Sequence, residues 1–416
     1  MSRILEQARE TELDIQSIRE EFPSLHQTVR GKPLVYLDNA ASSQRPKPVA
    51  EAVARYYAEY ASNVHRGVHA LAERATLAYE NAREQVQRFL NASDSREIVF
   101  TRGTTEAINL VARAYAQPRL KPGDEILVSA MEHHSNIVPW QLVCEATGAT
   151  LVVAPMDDRG EIQMDELEKR LSPKTRLVSV VWISNALGTV NPIEEIIRLA
   201  HDRGVPVLVD AAQAVPHRLV DVQALGCDFL AFSGHKTYAP GGIGVLYGRL
   251  ALLESMPPWQ GGGDMILSVS FAGSTYNHPP HRFEAGTPNV EGTIGLGAAL
   301  TWLRGLDLEK VERHEHQVLD RAVARLREVS GVRLVGDPRQ RAGAISFVID
   351  GAHAHDVGTV LDSEGVAVRA GHHCAQPVMA HFGVPATVRA SFAVYNTESE
   401  IDALVRGIVK ARDLFS

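Results

Sequence analysis

"RLVSVVWISNALGTVNPIEEIIRLAHDRGVPVLVD", residues 176–210, decides the fold. Two apolar runs, "RLVSVVWIS" (176–184) and "VPVLVD" (205–210), flank a helix-like segment, "PIEEIIRLAHDRG" (192–204). Val/Leu/Ile runs with almost no polar alternation suit strands buried on both faces. Strand–helix–strand units of this kind build a mainly parallel sheet covered by helices. Asn191 as N-cap, Pro192 in the first turn and Glu194 at the capping-box position predict where the intervening helix starts.

The same alternation begins near residue 34. "LVYLDN" (34–39), "EIVFTRG" (97–103), "EILVSAM" (125–131), "TLVVAPM" (150–156), "DFLAFSG" (228–234) and "GIGVLYG" (242–248) are further candidate strands, with helix-like stretches such as "TEAINLVARAYA" (105–116) between them. After "EAGTPNVEGTIGLGAAL" (284–300) the pattern changes. A long charged amphipathic segment from about 306 to 330 leads into shorter units, "AISFVID" (344–350), "HDVGTVLDSEG" (355–365) and "ATVRASFAVYN" (386–396). A final helix, "TESEIDALVRGIVKARDLF" (397–415), closes the chain. We expect an N-terminal segment (1–32) packing with a small α+β domain (301–416), and a large domain (33–300).

The 416 residues, 45% hydrophobic and 22% charged, are enough for one large α/β domain plus a smaller one. A net charge of −8 argues against nucleic acid or an anionic membrane as partner. Cys144, Cys227 and Cys374 lie far apart and never as CxxC, so neither a disulfide framework nor a zinc-knuckle spacing is present. "MSRILEQARETELD" (1–14) is too charged for a signal peptide, and no apolar run approaches membrane length. A cytosolic protein is expected.

Ligands of open α/β sheets sit at the carboxyl ends of the strands. Here "VPVLVD" ends in Asp210, with Gln213 three residues on; "LAFSGHK" ends in Ser233, His235 and Lys236; "VVWISNALG" delivers Asn185. "IVFTRGTTEA" passes through Gly103, Thr104 and Thr105 into a helix, and "ILVSAMEHHSN" runs into His133 and His134. Singly these are a solvated aspartate, a surface lysine, a threonine cap and loop histidines. Jointly they meet the needs of one cofactor. A lysine forms a Schiff base with an aldehyde. A carboxylate keeps a pyridine nitrogen protonated, making the ring an electron sink. A helix N-terminus with hydroxyls binds phosphate, and a flat imidazole stacks on an aromatic ring. Pyridoxal 5'-phosphate requires all four. Neither GxGxxG nor GxxxxGK[ST] is present.

"RAGHHCAQP" (369–377) sets Cys374 among Arg369, His372 and His373. The thiolate is the nucleophilic form, and free cysteine has a pKa of about 8.5. A full charge ~4 Å away is worth up to about 4 kcal/mol at an effective dielectric of 20, so the three cations are candidates for activating the thiol. Gly371 offers a flexible turn through which the loop could present its sulfur in two places. A zinc site built from His372, His373, Cys374, His353 and His355 is the competing reading, but adjacent ligands on one backbone run give poor geometry. A mere interaction scaffold needs neither Lys236 nor Cys374.

"SGHK" after "DAAQAVPH", together with "RGTTEAINLV", "MEHHSNIVPWQ", "ISNALGT", "RFEAGTPN" and "RAGHHCAQP", resembles the class-V aminotransferase group of fold-type I pyridoxal-phosphate enzymes, and more narrowly the group II (SufS-type) cysteine desulfurases. The likeness runs from about residue 20 to the C-terminus. It implies a large domain with a mainly parallel seven-stranded sheet flanked by helices, and a smaller domain carrying the cysteine loop. It implies Lys236 as the Schiff-base lysine, Asp210 at the pyridine nitrogen, Gln213 at the ring hydroxyl and His133 stacked on the ring. Thr104, Thr105, Ser233 and His235 would hold the phosphate, with Thr287 reaching the phosphate of the other subunit in a homodimer. Asn185, Arg369 and Arg389 would take the substrate carboxylate. Cys374 would be the nucleophile that strips sulfur from L-cysteine, leaves L-alanine, and passes its persulfide to a SUF-type acceptor for iron–sulfur cluster assembly. Selenocysteine lyase or cysteine-sulfinate desulfinase activity, the former on L-selenocysteine, is the alternative on the same scaffold. No metal is expected.

Overall fold

The apolar runs fold as doubly covered strands. Every residue of β1 (Ile98–Thr101), β5 (Val207–Asp210), β6 (Phe229–Ser233) and β7 (Gly244–Gly248) is buried. With β2 (Glu125–Ser129), β3 (Thr150–Ala154) and β4 (Thr175–Val181) they form one seven-stranded sheet, ordered β1-β7-β6-β5-β4-β2-β3. The block from β6 to β3 is parallel, whereas β7 runs antiparallel to both of its neighbours. The computed structural model describes residues 13–415; residues 1–12 of the expected N-terminal segment lie outside them.

"LVYLDN" does not join this sheet. Only Val35–Tyr36 is extended, paired in parallel with Val366–Ala367. Val35 and Leu37 are buried in a second core made otherwise of residues from Val318 to Ala411. Their alternate apolar positions therefore serve the C-terminal layer. That layer is an antiparallel sheet, β8 (Val332–Val335), β9 (Ala344–Ile349), β10 (Arg369–Gly371) and β11 (Thr387–Ser391), in the order β8-β9-β11-β10. The helices Leu308–Arg327, Ala354–Ser363 and Glu398–Phe415 pack against it. The N-terminal helix (Ile15–Glu20) and the residue Phe22 beyond it meet the C-terminal part of the chain. Phe22 beyond it stacks edge-on against Trp302 at 5.3 Å and Tyr395 at 4.6 Å. Arg19 pairs with Glu400 at 2.8 Å.

One local expectation needs correction. The helix after β4 is Ile193–His201, and no side chain caps it. Asn191, 2% exposed, turns inward instead and donates its Nδ2 to the Val181 carbonyl at 2.8 Å. A buried strand-end acceptor left unpaired costs more than a surface cap gains. The sequence reading also passed over an exposed hairpin, Ile266–Ser270 with Gly273–Tyr276, that carries Leu267, Val269 and Phe271 in the open. Among the described residues no helix is long and apolar enough to cross a membrane, and no group of three or more His, Cys, Asp and Glu is arranged to hold a metal.

Candidate active site

The strand ends converge as the apolar runs predict. A cavity of about 260 Å³ opens at the carboxyl edge of the sheet. Asp210 and Gln213 reach it from β5; Ser233, His235 and Lys236 from β6; Asn185 from β4; His133 from the turn after β2; Thr104 and Thr105 from the helix after β1. Arg369, Cys374 and Arg389 enter it from the C-terminal layer. Thr287 alone among the expected site residues stays away, exposed on the loop that precedes the helix Val290–Gly305.

Burial sets the charge state of the floor. Desolvation pushes the Lys236 amine down to about 8, with the Arg389 cation adding to the effect and Asp210 opposing it. That amine has no hydrogen bond to any described residue. Asp210 is 2% exposed; burial raises its pKa, while the Ala212 N–H, 3.0 Å from Oδ1, and the nearby Lys236 stabilise its anion. Burial, then Lys236, push His133 down to about 3. Its Nδ1 accepts the Ser135 N–H at 3.1 Å, so a neutral ring carries its proton on Nε2. His235 is likewise lowered by burial, to about 4. Gln213 is fixed by donating its Nε2 to the Ala40 carbonyl at 2.8 Å.

Beside these groups the helix beginning at Thr104 presents its N-terminus. Thr104 donates its N–H to Ser233 Oγ at 2.9 Å, and the two hydroxyls lie 2.8 Å apart. Gly103 and Gly244 allow this contact: a Cβ on Gly244 would strike the Gly103 main chain and come within 2.7 Å of the Phe232 carbonyl. A half-buried amine that faces the cavity, a buried carboxylate, a neutral flat imidazole and a hydroxyl-lined helix N-terminus match the four requirements of pyridoxal 5'-phosphate. The residues present fit that cofactor.

At the outer wall Arg389, 2% exposed, donates to the Asn185 carbonyl at 2.9 Å and to Asp38 at 3.2 Å. Arg369, on the surface, reaches the same Asp38 carboxylate at 3.2 Å. Asp38 therefore holds two guanidinium groups side by side. The sequence reading missed it, although the signal was the one that marked Asp210: an acid ending an apolar run. Burial lowers Arg389 to about 10, which leaves it a cation at neutral pH, and its Nε is buried without a partner.

Cys374 is exposed and lines the cavity. The cationic setting expected for it is real, but its sources differ. His373 is buried, its Nε2 lies 2.8 Å from Thr387 Oγ1, and burial beside Arg389 and Arg369 pushes it down to about 3. It is neutral and contributes no charge. Lys236 and Arg389 are in electrostatic contact with the Cys374 sulfur, and Arg369 lines the same cavity. A buried network also escaped the sequence reading. Glu132, fully buried, accepts hydrogen bonds from Ser129 Oγ at 2.5 Å, the Val181 N–H at 3.0 Å and Asn136 Nδ2 at 2.7 Å, directly behind His133.

The family model of class-V aminotransferases matches residues 35–404. A probable cysteine desulfurase of Halalkalibacterium halodurans is 53% identical over 403 residues, 97% of this chain and 99% of that protein. A cysteine desulfurase of Dickeya dadantii is 53% identical over 395 residues, covering 95% and 96% of the two chains. Among solved structures, the cysteine desulfurase CsdA of Escherichia coli superimposes with a TM-score of 0.91 at 45% identity, over 97% of this chain and 100% of its own. The sheet-edge constellation and these likenesses agree: the chain belongs to the class-V aminotransferase family of pyridoxal-phosphate enzymes and, within it, to the cysteine desulfurases.

Proposed function

We propose that the chain removes sulfur from L-cysteine as a persulfide on Cys374 and leaves L-alanine. One observation carries this reading: the Lys236 amine, the Arg389 guanidinium and the Cys374 thiol line a single cavity although they come from different layers of the fold. Pyridoxal 5'-phosphate would be held by Thr104, Thr105, Ser233 and His235 at its phosphate, Asp210 at the ring nitrogen, Gln213 at the ring hydroxyl, His133 over the ring face and Lys236 as covalent anchor. When bound, it supplies an aldehyde carbon that captures the substrate amine and a ring that accepts the electron pair released with the α-proton.

The remaining work falls to side chains. Arg389, seconded by Arg369 and Asn185, orients the substrate carboxylate. Lys236 Nζ, whose lowered pKa raises its free-base fraction near neutral pH, takes the α-proton. Cys374 Sγ, as the thiolate, attacks the substrate sulfur. An S–S bond forms, the substrate Cβ–S bond breaks, and the electron pair left on Cβ takes up a proton. Thiolate plus cysteine gives persulfide plus alanine, with no external oxidant or reductant. Lys236 and Arg389 supply positive charge beside both sulfur anions.

Finer readings follow from the same features. The "RAGHHCAQP" loop supports a group II, SufS-type enzyme. On that reading an acceptor protein of the SUF type comes to the exposed thiol and takes the sulfur toward iron–sulfur cluster assembly. The exposed apolar side chains Leu267, Val269 and Phe271, and the placement of Thr287 outside its own cavity, support a homodimer in which Thr287 serves the second subunit. An exposed catalytic thiol that must stay reduced suits the cytosol. The two cores support a large domain over about 33–300 and a small one from 301 onward. Incubating the holoenzyme with L-cysteine should release L-alanine in step with the sulfur transferred, and Lys236→Ala should release none. Alanine formation by Lys236→Ala overturns the assignment.

A further inference from the structure

The loop that carries Cys374 adopts a conformation that ordinary side chains avoid. His373 and Cys374 have φ of +53° and +54° in succession. Left-handed backbone at a non-glycine residue is strained and persists only where the surroundings over-determine it. Three contacts from segments at the sheet's carboxyl edge do so. Asn185 Nδ2 donates to the His373 carbonyl at 2.7 Å. The His134 main-chain N–H donates to the Cys374 carbonyl at 2.8 Å. The Gln376 N–H in turn donates to the His134 ring at Nε2, 3.2 Å away.

His134 therefore grips the chain just C-terminal to the thiol, at the Cys374 carbonyl and at Gln376, while Asn185 grips it on the N-terminal side at the His373 carbonyl. It immediately follows His133, and the Glu132–Asn136 hydrogen bond spans both histidines. We propose that His134 is a positioning residue for Cys374, holding the strained loop so that the sulfur faces the cavity, with Asn185 as the second anchor. The grip needs an unprotonated Nε2, and burial together with the neighbouring His372 does lower the pKa of His134. His372 lies close, its ring centroid 5.7 Å away, and its Nδ1 accepts the Cys374 N–H at 3.3 Å. The proposal rests on the reading of Cys374 as the group that takes sulfur from the substrate.

Two substrates separate positioning from folding. L-Cysteine gives up its sulfur only to a protein thiol, whereas the sulfinate group of L-cysteine sulfinate leaves without one. His134→Ala should lose about tenfold to a hundredfold in kcat on L-cysteine, the scale of cost that follows a misplaced reacting group. Its turnover of cysteine sulfinate should stay within about twofold of wild type on the same argument. His134→Gln, whose amide oxygen can accept the Gln376 N–H, should recover most of the cysteine activity. If His134→Ala does not fold, His134→Asn, too short to reach Gln376, takes its place. Equal losses on both substrates, or no loss on cysteine, overturn the proposal. Cys374→Ala, run in parallel, tests the underlying reading by itself: retention of cysteine turnover there would remove the nucleophile assignment, whatever His134 does.

Discussion

Lys236 shows how much of the chemistry is set by one side chain's surroundings. A lysine in water stays protonated until about pH 10.4. Here desolvation outweighs the attraction of Asp210 and brings the amine to about 8. The sign is that of a buried base: the neutral form gains as pH rises through 8, so reactivity climbs below that value and levels off above it. Labelling of Lys236 in the cofactor-free protein should follow a titration with its midpoint near 8; a midpoint near that of the surface lysines would contradict the environment described here. Asp210, Ser233 and Lys236 were legible in the sequence because several apolar runs stop on polar residues and the carboxyl ends of such strands share one edge. His373 misled, since three potential cations in one motif say nothing of which will be buried. Burial neutralises it, and the cations that share the cavity with Cys374 are Arg369, Arg389 and Lys236.

Among the elements, the turn after β2 does more than display His133. Behind it Glu132 is buried with its carboxyl raised to about 8, chiefly by desolvation. Its hydrogen bonds to Ser129, Val181 and Asn136 keep the turn in place. The folded state keeps this proton between about pH 4.5 and 8, whereas the unfolded chain has lost it, so stability falls as pH rises through that window. Glu132→Gln, which cannot titrate, should remove that dependence. Relative to wild type the variant should gain about 2 kcal/mol or more between pH 5 and 8, because one pKa unit is worth about 1.4 kcal/mol. Urea unfolding of both proteins across that range measures it, and parallel pH profiles would show that Glu132 is ionised throughout. Neither this network nor the reversed direction of β7 is legible in the local pattern. A continuous apolar run looks the same in either direction, and "GIGVLYG" carries no mark of being antiparallel.

Across the whole molecule, the site exists because distant layers meet. Asp38 leaves the extended pair Val35–Tyr36 and joins Arg369 of β10 to Arg389 of β11. Asn185, from the main sheet, and Arg389 share a further hydrogen bond. Contacts that span so much sequence cannot be read from local pattern. The alternation of strands and helices told which layers to expect, and the strand ends told where their chemistry lies, but the seam between layers was visible only in three dimensions. The C-terminal layer thus carries Arg369, Cys374 and Arg389 to the edge where the main sheet carries Lys236, Asp210 and Ser233. The most direct test is mass spectrometry of the holoenzyme after brief exposure to L-cysteine. The account predicts a gain of one sulfur atom, found on the peptide containing Cys374, with L-alanine released; alanine released while Cys374 stays unmodified, or sulfur located on Cys144 or Cys227, would contradict it.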